Sequence, residues 1–217
     1  KAQLNFKPTT HWLMYAGWNR GVKGGGFNSP LDVTDYQGSF NNGGVIPLTD
    51  ANMKFRPEKL DAYEAGFKFD FWDGRARLNA SGFYYDYKDY QAFSLLGVTP
   101  QVSNSDARAH GGEIELQVAP GGGFTFAGGA SFLHSSVAAV PDVFGSTIPA
   151  EFPNAPHTSL NLLARYEHAL MGAIASAQLD GRWNDKLFLE GTNSEVSREP
   201  AHTVLNASVS LANAEDT

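Results

Sequence analysis

The chain has 217 residues, with 16 Lys and Arg against 23 Asp and Glu, for a formal charge of −7. That balance excludes the basic face a nucleic-acid module presents, so no nucleic-acid partner is expected. With 42% hydrophobic residues, a mean hydropathy of −0.29 and no run near the roughly 20 apolar residues of a spanning helix, disorder and helical membrane bundles are also excluded. Charged residues make up only 18%, aromatics 12%, and there are 23 glycines, a mixture that suits an all-β chain. Cys is absent, which removes disulfides and thiolate metal sites.

Both ends are expected to be cuts in a longer chain. Lys1-Ala2-Gln3-Leu4 has neither the apolar core nor the cleavage site of an export signal, and Ser208 to Ala212 runs into a turn-like Asn213 to Thr217.

Period-two alternation recurs between these ends and predicts strands. In chain order they fall at Trp12 to Trp18, Tyr63 to Phe71, Ala76 to Tyr85, Glu113 to Val118, Phe124 to Phe132, Ser159 to Tyr166, Ala175 to Trp183 and Leu205 to Leu211, about eight in all. The Ala-rich stretch Ala169 to Ala175 holds good helix formers, so a helix across Leu162 to Leu179 is the alternative there. Gly172 in mid-run and clean alternation on both flanks favour strands.

The connections alternate in length. Asp73-Gly74, Pro120 to Gly123 and Glu167 to Met171 are short, whereas Arg20 to Lys59, Asp89 to Ala107, Ser135 to Pro156 and Asp185 to Pro200 are long. Outer-membrane barrels show this order, with short periplasmic turns and long external loops. A soluble carbohydrate-binding sandwich would also account for the aromatics and the missing Cys, but it predicts no such ordering.

Each strand has one apolar or small face and one carrying Glu, Lys, Arg, Asp, Asn and Gln. Several runs reach about 10 residues, the span of a tilted transmembrane strand. Aromatics gather near strand ends, at Phe69, Phe71 and Trp72, at Tyr84, Tyr85, Tyr87 and Tyr90, and at Trp183 with Phe188, as interfacial girdles require. Phe67, Leu78, Leu116, Phe126, Leu160, Leu179 and Leu205 are therefore expected to face lipid.

Several stretches resemble the words of one family in order. Leu13 to Asn28 contains Gly21-Val22-Lys23-Gly24-Gly25-Gly26-Phe27-Asn28; Phe55-Arg56-Pro57-Glu58 precedes Tyr63-Glu64-Ala65-Gly66-Phe67-Lys68; and Asp73-Gly74-Arg75 leads to Asp86-Tyr87-Lys88-Asp89. Asn104 to Leu116 ends in Gly112-Glu113-Ile114-Glu115-Leu116, and Pro153-Asn154-Ala155-Pro156-His157 follows. This ordered series is similar to the barrel of TonB-dependent outer-membrane receptors. The resemblance implies a bacterial outer-membrane antiparallel β-barrel of the 22-stranded, plugged kind. Residues 1–217 would be a C-terminal portion of that barrel, with the plug, the segment gripped by TonB and the final strand outside the chain.

The implied function is TonB-energised uptake of a scarce nutrient, an iron chelate first, with cobalamin, haem or a saccharide as alternatives. The implied partners are the receptor's own plug, TonB, a small-molecule ligand, and outer-membrane lipid and lipopolysaccharide. No cofactor is expected. Glu64, Glu113 and Glu115 lie at polar, lumen-facing positions, and the resemblance implies that carboxylates at these places pair with plug arginines.

Other candidates are weaker. His110, His134, His157 and His202 fall near the long-connection ends of strands, where a ligand would arrive, but none shows metal-ligand spacing. Phe55-Arg56-Pro57 is only loosely similar to haem-receptor boxes. His134-Ser135-Ser136 and His157-Thr158-Ser159 offer base and nucleophile types without a nucleophile elbow, so catalysis is not expected. The Asp and Gly residues of Val33 to Gly44 lack EF-hand spacing and read as loop.

Overall fold

A computed structural model describes residues 1–28, 53–96, 99–142 and 146–213. Nine strands form one antiparallel meander: β1 (Ala2–Phe6), β2 (Trp12–Lys23), β5 (Glu58–Phe71), β6 (Ala76–Leu96), β7 (Thr99–Gly121), β8 (Phe124–Pro141), β10 (Thr158–Leu170), β11 (Ala173–Asn184) and β14 (His202–Asn213). Short β9 (Thr147–Ala150) adds to β8, while β3 (Gly26–Phe27) pairs with β4 (Lys54–Phe55) and β12 (Leu187–Phe188) with β13 (Arg198–Glu199). Across 162–179 the described residues are strand and turn rather than helix. The expected meander of about eight strands is present, with β1 added at its leading edge. Residues 33–44 lie outside the described residues.

The segment with a helical alternative is a hairpin. Its strands pair from Ser159↔Asn184 to Leu170↔Ala173 around Met171-Gly172, whose φ angles of 50° and 84° make a two-residue mirror-image turn. The turn therefore sits slightly later than Glu167 to Met171. At the first tight turn Asp73 and Gly74 take φ of 53° and 79°, as their dipeptide predicts.

One of the long connections, Asp89 to Ala107, is largely strand. β6 and β7 run 21 and 23 residues and keep pairing as far as Leu96↔Thr99, with a bulge between Tyr87 and Tyr90 where Asp89 takes φ 56°. Asp tolerates this left-handed conformation because its short polar side chain can bond locally. On the lumen side of this extension, Ala92, Ala107, Val137, Val140 and Ala150 form a buried cluster capped by Tyr87, Tyr90 and Phe152. The aromatic rings meet at 5.0–5.6 Å. This packing is why the polar sequence there stays ordered as sheet rather than reading out as loop.

Strand register sorts the side chains onto two faces. Phe67, Ala80, Ile114, Ala130 and Leu160 share one rung, and Phe69, Leu78, Leu116, Gly128, Leu162, Gly181 and Leu205 the next. Phe126 and Leu179 stand on the same face, one rung further toward the tight turns. All seven residues expected at lipid thus share the outward face, and Leu205 is 70% exposed there. Aromatic rows bound the band. Tyr63, Tyr84, His110 and His134 stand at one end; Trp12, Phe69, Phe71, Phe124 and Tyr166 stand at the other. From His110 to Val118 β7 rises about 27 Å at ~3.4 Å per residue, or about 20 Å once tilted by about 40°, which suits a bilayer core.

Candidate functional site

The opposite, polar face carries the candidate lumen site. Tyr15, Gly66, Ser81, Glu113 and Ser131 occupy one rung of β2, β5, β6, β7 and β8, while Glu64 and Glu115 flank it on neighbouring rungs. Glu64, Glu113 and Glu115 therefore share one face and, with Tyr15, Lys68, Asn79 and Ser81, line a polar hollow of about 190 Å³. All three carboxylates are exposed.

Two of them are held. Tyr15 Oη donates to Glu64 Oε1 at 2.8 Å, and Asn79 Nδ2 donates to Glu115 Oε2 at 3.2 Å. Tyr15 crosses β5 over Gly66. A Cβ at Gly66 would stand 2.6 Å from the Ala80 carbonyl oxygen and 2.8 Å from the Tyr15 ring. The Glu64-Ala65-Gly66 motif thus combines an acceptor with a flat bed for the ring that reaches it. Tyr15 was not readable as part of the site, because 49 residues separate it from Glu64 and only register joins them. Glu113 makes no side-chain hydrogen bond among the described residues, leaving its oxygens open to a cation.

The histidines do not converge on the hollow. His110 and His134 stand on the outward face, their rings 5.1 Å apart, in the row with Tyr84. His157 lies 6.0 Å from His134 and pairs with Glu151 at 2.9 Å. His202 opens β14 and contacts Pro200 O and Glu199 Oε1, each at 3.3 Å. Among the described residues no group of three or more His, Cys, Asp or Glu has metal-holding geometry.

The remaining motifs meet at the outer ends of β2, β5, β6 and β7. Asn28 donates to Val102 O and accepts from Val102 N, at 2.9 and 2.7 Å. Arg56 bonds Asp89 Oδ1 through Nε at 2.9 Å, and Glu58 accepts the Gln91 amide at 2.8 Å. The Gln91 side chain donates to Gly24 O and Arg56 O at 2.7 and 3.2 Å. These words therefore build a clasp that ties the β3–β4 hairpin to the β6–β7 extension. The larger apolar hollow, about 720 Å³ between Leu116, Phe126, Leu162, Leu179 and Leu205, lies on the outward face and belongs to the lipid contact rather than to a ligand.

Comparisons with known proteins agree with this wall. The TonB-dependent receptor-like β-barrel family matches residues 1–214. No curated protein matches the sequence. Similar structures include the ferric yersiniabactin uptake receptor FyuA from Yersinia pestis, at 19% identity and TM-score 0.67 over 95% of this chain and 28% of that one. The ferric preacinetobactin receptor BauA from Acinetobacter baumannii gives 18% identity and TM-score 0.67 over 97% and 29%. The ferric-catecholate import receptor Fiu from K12 E. coli gives 18% and 0.62 over 95% and 27%. The chain thus spans less than a third of these receptors. The family and these neighbours are outer-membrane transport receptors rather than enzymes. This chain belongs to the TonB-dependent receptor β-barrel family.

Proposed function

We propose that the chain is a C-terminal section of the barrel wall of an outer-membrane receptor that imports an iron chelate with energy delivered by TonB. The single observation that carries this reading is the family match across residues 1–214. The names of the similar receptors, for ferric yersiniabactin, ferric preacinetobactin and ferric catecholates, favour an iron chelate as cargo. In this reading Glu64, Glu113 and Glu115 receive plug arginines, because a filled lumen desolvates its wall and planar guanidinium bridges carboxylates bidentately.

A strain lacking the full-length receptor tests the proposal when supplied separately with labelled ferric chelates, cobalamin, haem and oligosaccharides. Loss of ferric-chelate uptake alone, restored by the wild-type gene, is the expected result. Loss confined to another arm reassigns the cargo, and unchanged uptake in every arm removes the transport reading.

A further inference from the structure

Two histidines stand directly opposite each other on the outward face, His110 of β7 against His134 of β8. Residues so placed across an antiparallel pair have Cβ atoms about 4.5–5.5 Å apart, close enough to share one ligand. The two ring centres are 5.1 Å apart and the ring planes are tilted by 56°. With Zn–N bonds of about 2.0–2.1 Å, a tetrahedral ion holds the centres of two imidazole ligands about 5.2 Å apart. Strand register therefore sets the spacing that a shared tetrahedral ion requires, with no backbone movement.

The ring nitrogens of this pair have no competing partner. Both histidines are exposed, and among the described residues neither makes a hydrogen bond or an ion pair. Exposed imidazoles turn freely about χ2, which lets each bring a nitrogen to a common point. The pair is flanked by Tyr84, whose ring lies 6.4 Å from that of His110, and by His157, 6.0 Å from His134. His157 is already engaged by Glu151 at 2.9 Å and its ring stands beyond the tetrahedral spacing. The arrangement is thus a two-ligand chelate with water completing the coordination, in keeping with the lack of any metal-holding group of three or more among the described residues. Arg108, two residues along β7 on the same face, is paired with Asp86 at 3.3 Å, which limits its repulsion of a cation.

We propose that His110 and His134 chelate a divalent ion of the late first transition row, with Zn²⁺ as the fitting ion, and so pin β7 to β8 at the outer rim of the wall. Imidazole suits Zn²⁺, Cu²⁺ and Ni²⁺, whereas Mg²⁺ and Ca²⁺ select oxygen ligands. The ring spacing selects among the first three, because a square-planar ion would draw the ring centres to about 4.5 Å. The site faces away from the lumen carboxylates, so it lies outside the import path of the proposed function and holds whatever the cargo.

The test uses the untagged full-length receptor in detergent, with Zn²⁺ as the probe and Mg²⁺ as the comparison. Binding is read by competition with a chromophoric chelator. Occupancy of the two rings is read by their protection from diethyl pyrocarbonate, located by peptide mass spectrometry. His110→Ala and His134→Ala are each expected to bind Zn²⁺ at least about ten-fold more weakly, since even loss of a ligand's hydrogen-bond partner costs about 10–100-fold. His157→Ala is expected to keep the affinity. In the wild-type receptor Zn²⁺ protects His110 and His134 together and Mg²⁺ protects neither, a readout that needs no variant to assemble. Unchanged modification of both rings in Zn²⁺ overturns the site, as does equal binding by wild type and the His110 and His134 variants. Equal protection by Mg²⁺ overturns the imidazole-selective chemistry, and a loss in His157→Ala as deep as in His134→Ala overturns the two-ligand assignment. Uptake of labelled ferric chelate by His110→Ala is expected to continue; its loss alongside Zn²⁺ binding overturns the placement outside the import path.

Discussion

Asn104 holds the main chain of Arg56 at both of its ends, accepting from the Arg56 amide at 2.6 Å and donating to the Arg56 carbonyl at 3.1 Å. The side-chain amide thus acts as a piece of strand, and its Nδ2 also reaches Asp89 O at 2.8 Å. Asn104→Ala removes both anchors, leaving the Arg56 amide without its side-chain acceptor while the Arg56 carbonyl keeps Gln91, a loss of about 0.5–1.5 kcal/mol confined to the clasp. Hydrogen exchange of the Arg56 amide in the full-length receptor is expected to accelerate, with exchange in β10 and β11 unchanged.

The Tyr15–Glu64 bond depends on a glycine two positions away. Gly66→Ala places a methyl group against Tyr15 and the Ala80 carbonyl, so the ring must lift and its hydroxyl leave Glu64. Overpacking of this kind costs about 1–3 kcal/mol. Urea unfolding in lipid vesicles is expected to shift by that amount for Gly66→Ala. For Tyr15→Phe, which removes only the hydroxyl, the expected change is about 1 kcal/mol.

Leu116 stands at mid-band on the outward face, between Leu78 and Gly128. Leu116→Lys places an ammonium group in hydrocarbon and is expected to destabilise the barrel by roughly 2–4 kcal/mol. Gln117→Lys, one residue on and facing the lumen, serves as the control and is expected to change stability by less than about 1 kcal/mol. Equal losses for both variants would contradict the facing assigned here.

Strand positions and faces were legible because a half-buried sheet imposes a period of two, and Ile114, Leu116 and Val118 alternate with Glu113, Glu115 and Gln117 without exception. β1 was missed although Ala2, Leu4 and Phe6 alternate, since five residues are too few to distinguish from chance. The outer extension of β6 and β7 has the sequence of a loop, because Ser103, Asn104, Ser105 and Asp106 favour turns. Backbone pairing and the buried cluster beside it override that preference. That the three carboxylates share one face is readable from parity alone. Tyr15, Asn79 and the clasp are not, because each joins residues through register or through side-chain bonds to distant main chain, which no local pattern records.

In the connection between β11 and β14, Glu190 organises a turn. Its carboxylate accepts from Thr192 N and Oγ1 at 2.7 and 2.6 Å, from Ser194 N at 2.6 Å and from Ser197 Oγ at 3.1 Å. Burial pushes the carboxyl up, but the bonds from Thr192, Ser194 and Ser197 outweigh it and hold the group below the usual carboxylate range. A carboxyl lowered in the folded state contributes its full stability above the unfolded value of about 4.3 and loses it as pH falls through the folded value. Pepsin cleavage at 189–197 of the full-length receptor, normalised to Glu190→Gln, is therefore expected to rise as pH drops from about 5 to 3. A flat ratio would show that the turn does not depend on the ionised carboxylate.

The lumen carboxylates give the most demanding prediction, because two outcomes separate cleanly. Glu64, Glu113 and Glu115 face one hollow, and among the described residues only Glu64 and Glu115 have a neutral donor from the wall itself. If the wall meets only water, these groups stay solvated and their removal changes little, since exposed charges contribute about 0–1 kcal/mol. If a plug arginine is seated among them, removing its carboxylate leaves a cation uncompensated, at a cost of roughly 3–5 kcal/mol on full burial. Glu64→Ala and Glu113→Ala in the full-length receptor are then expected to loosen the plug while the barrel still assembles, so that cells become sensitive to a large antibiotic. Glu113→Ala should act at least as strongly as Glu64→Ala, because Glu113 has no hydrogen bond to the wall among the described residues and its oxygens remain for the partner. Glu64→Gln keeps the acceptor for Tyr15 and removes only the charge, so sensitivity in this variant assigns the effect to the ion pair. Unchanged antibiotic exclusion in all three variants would place the carboxylates in water.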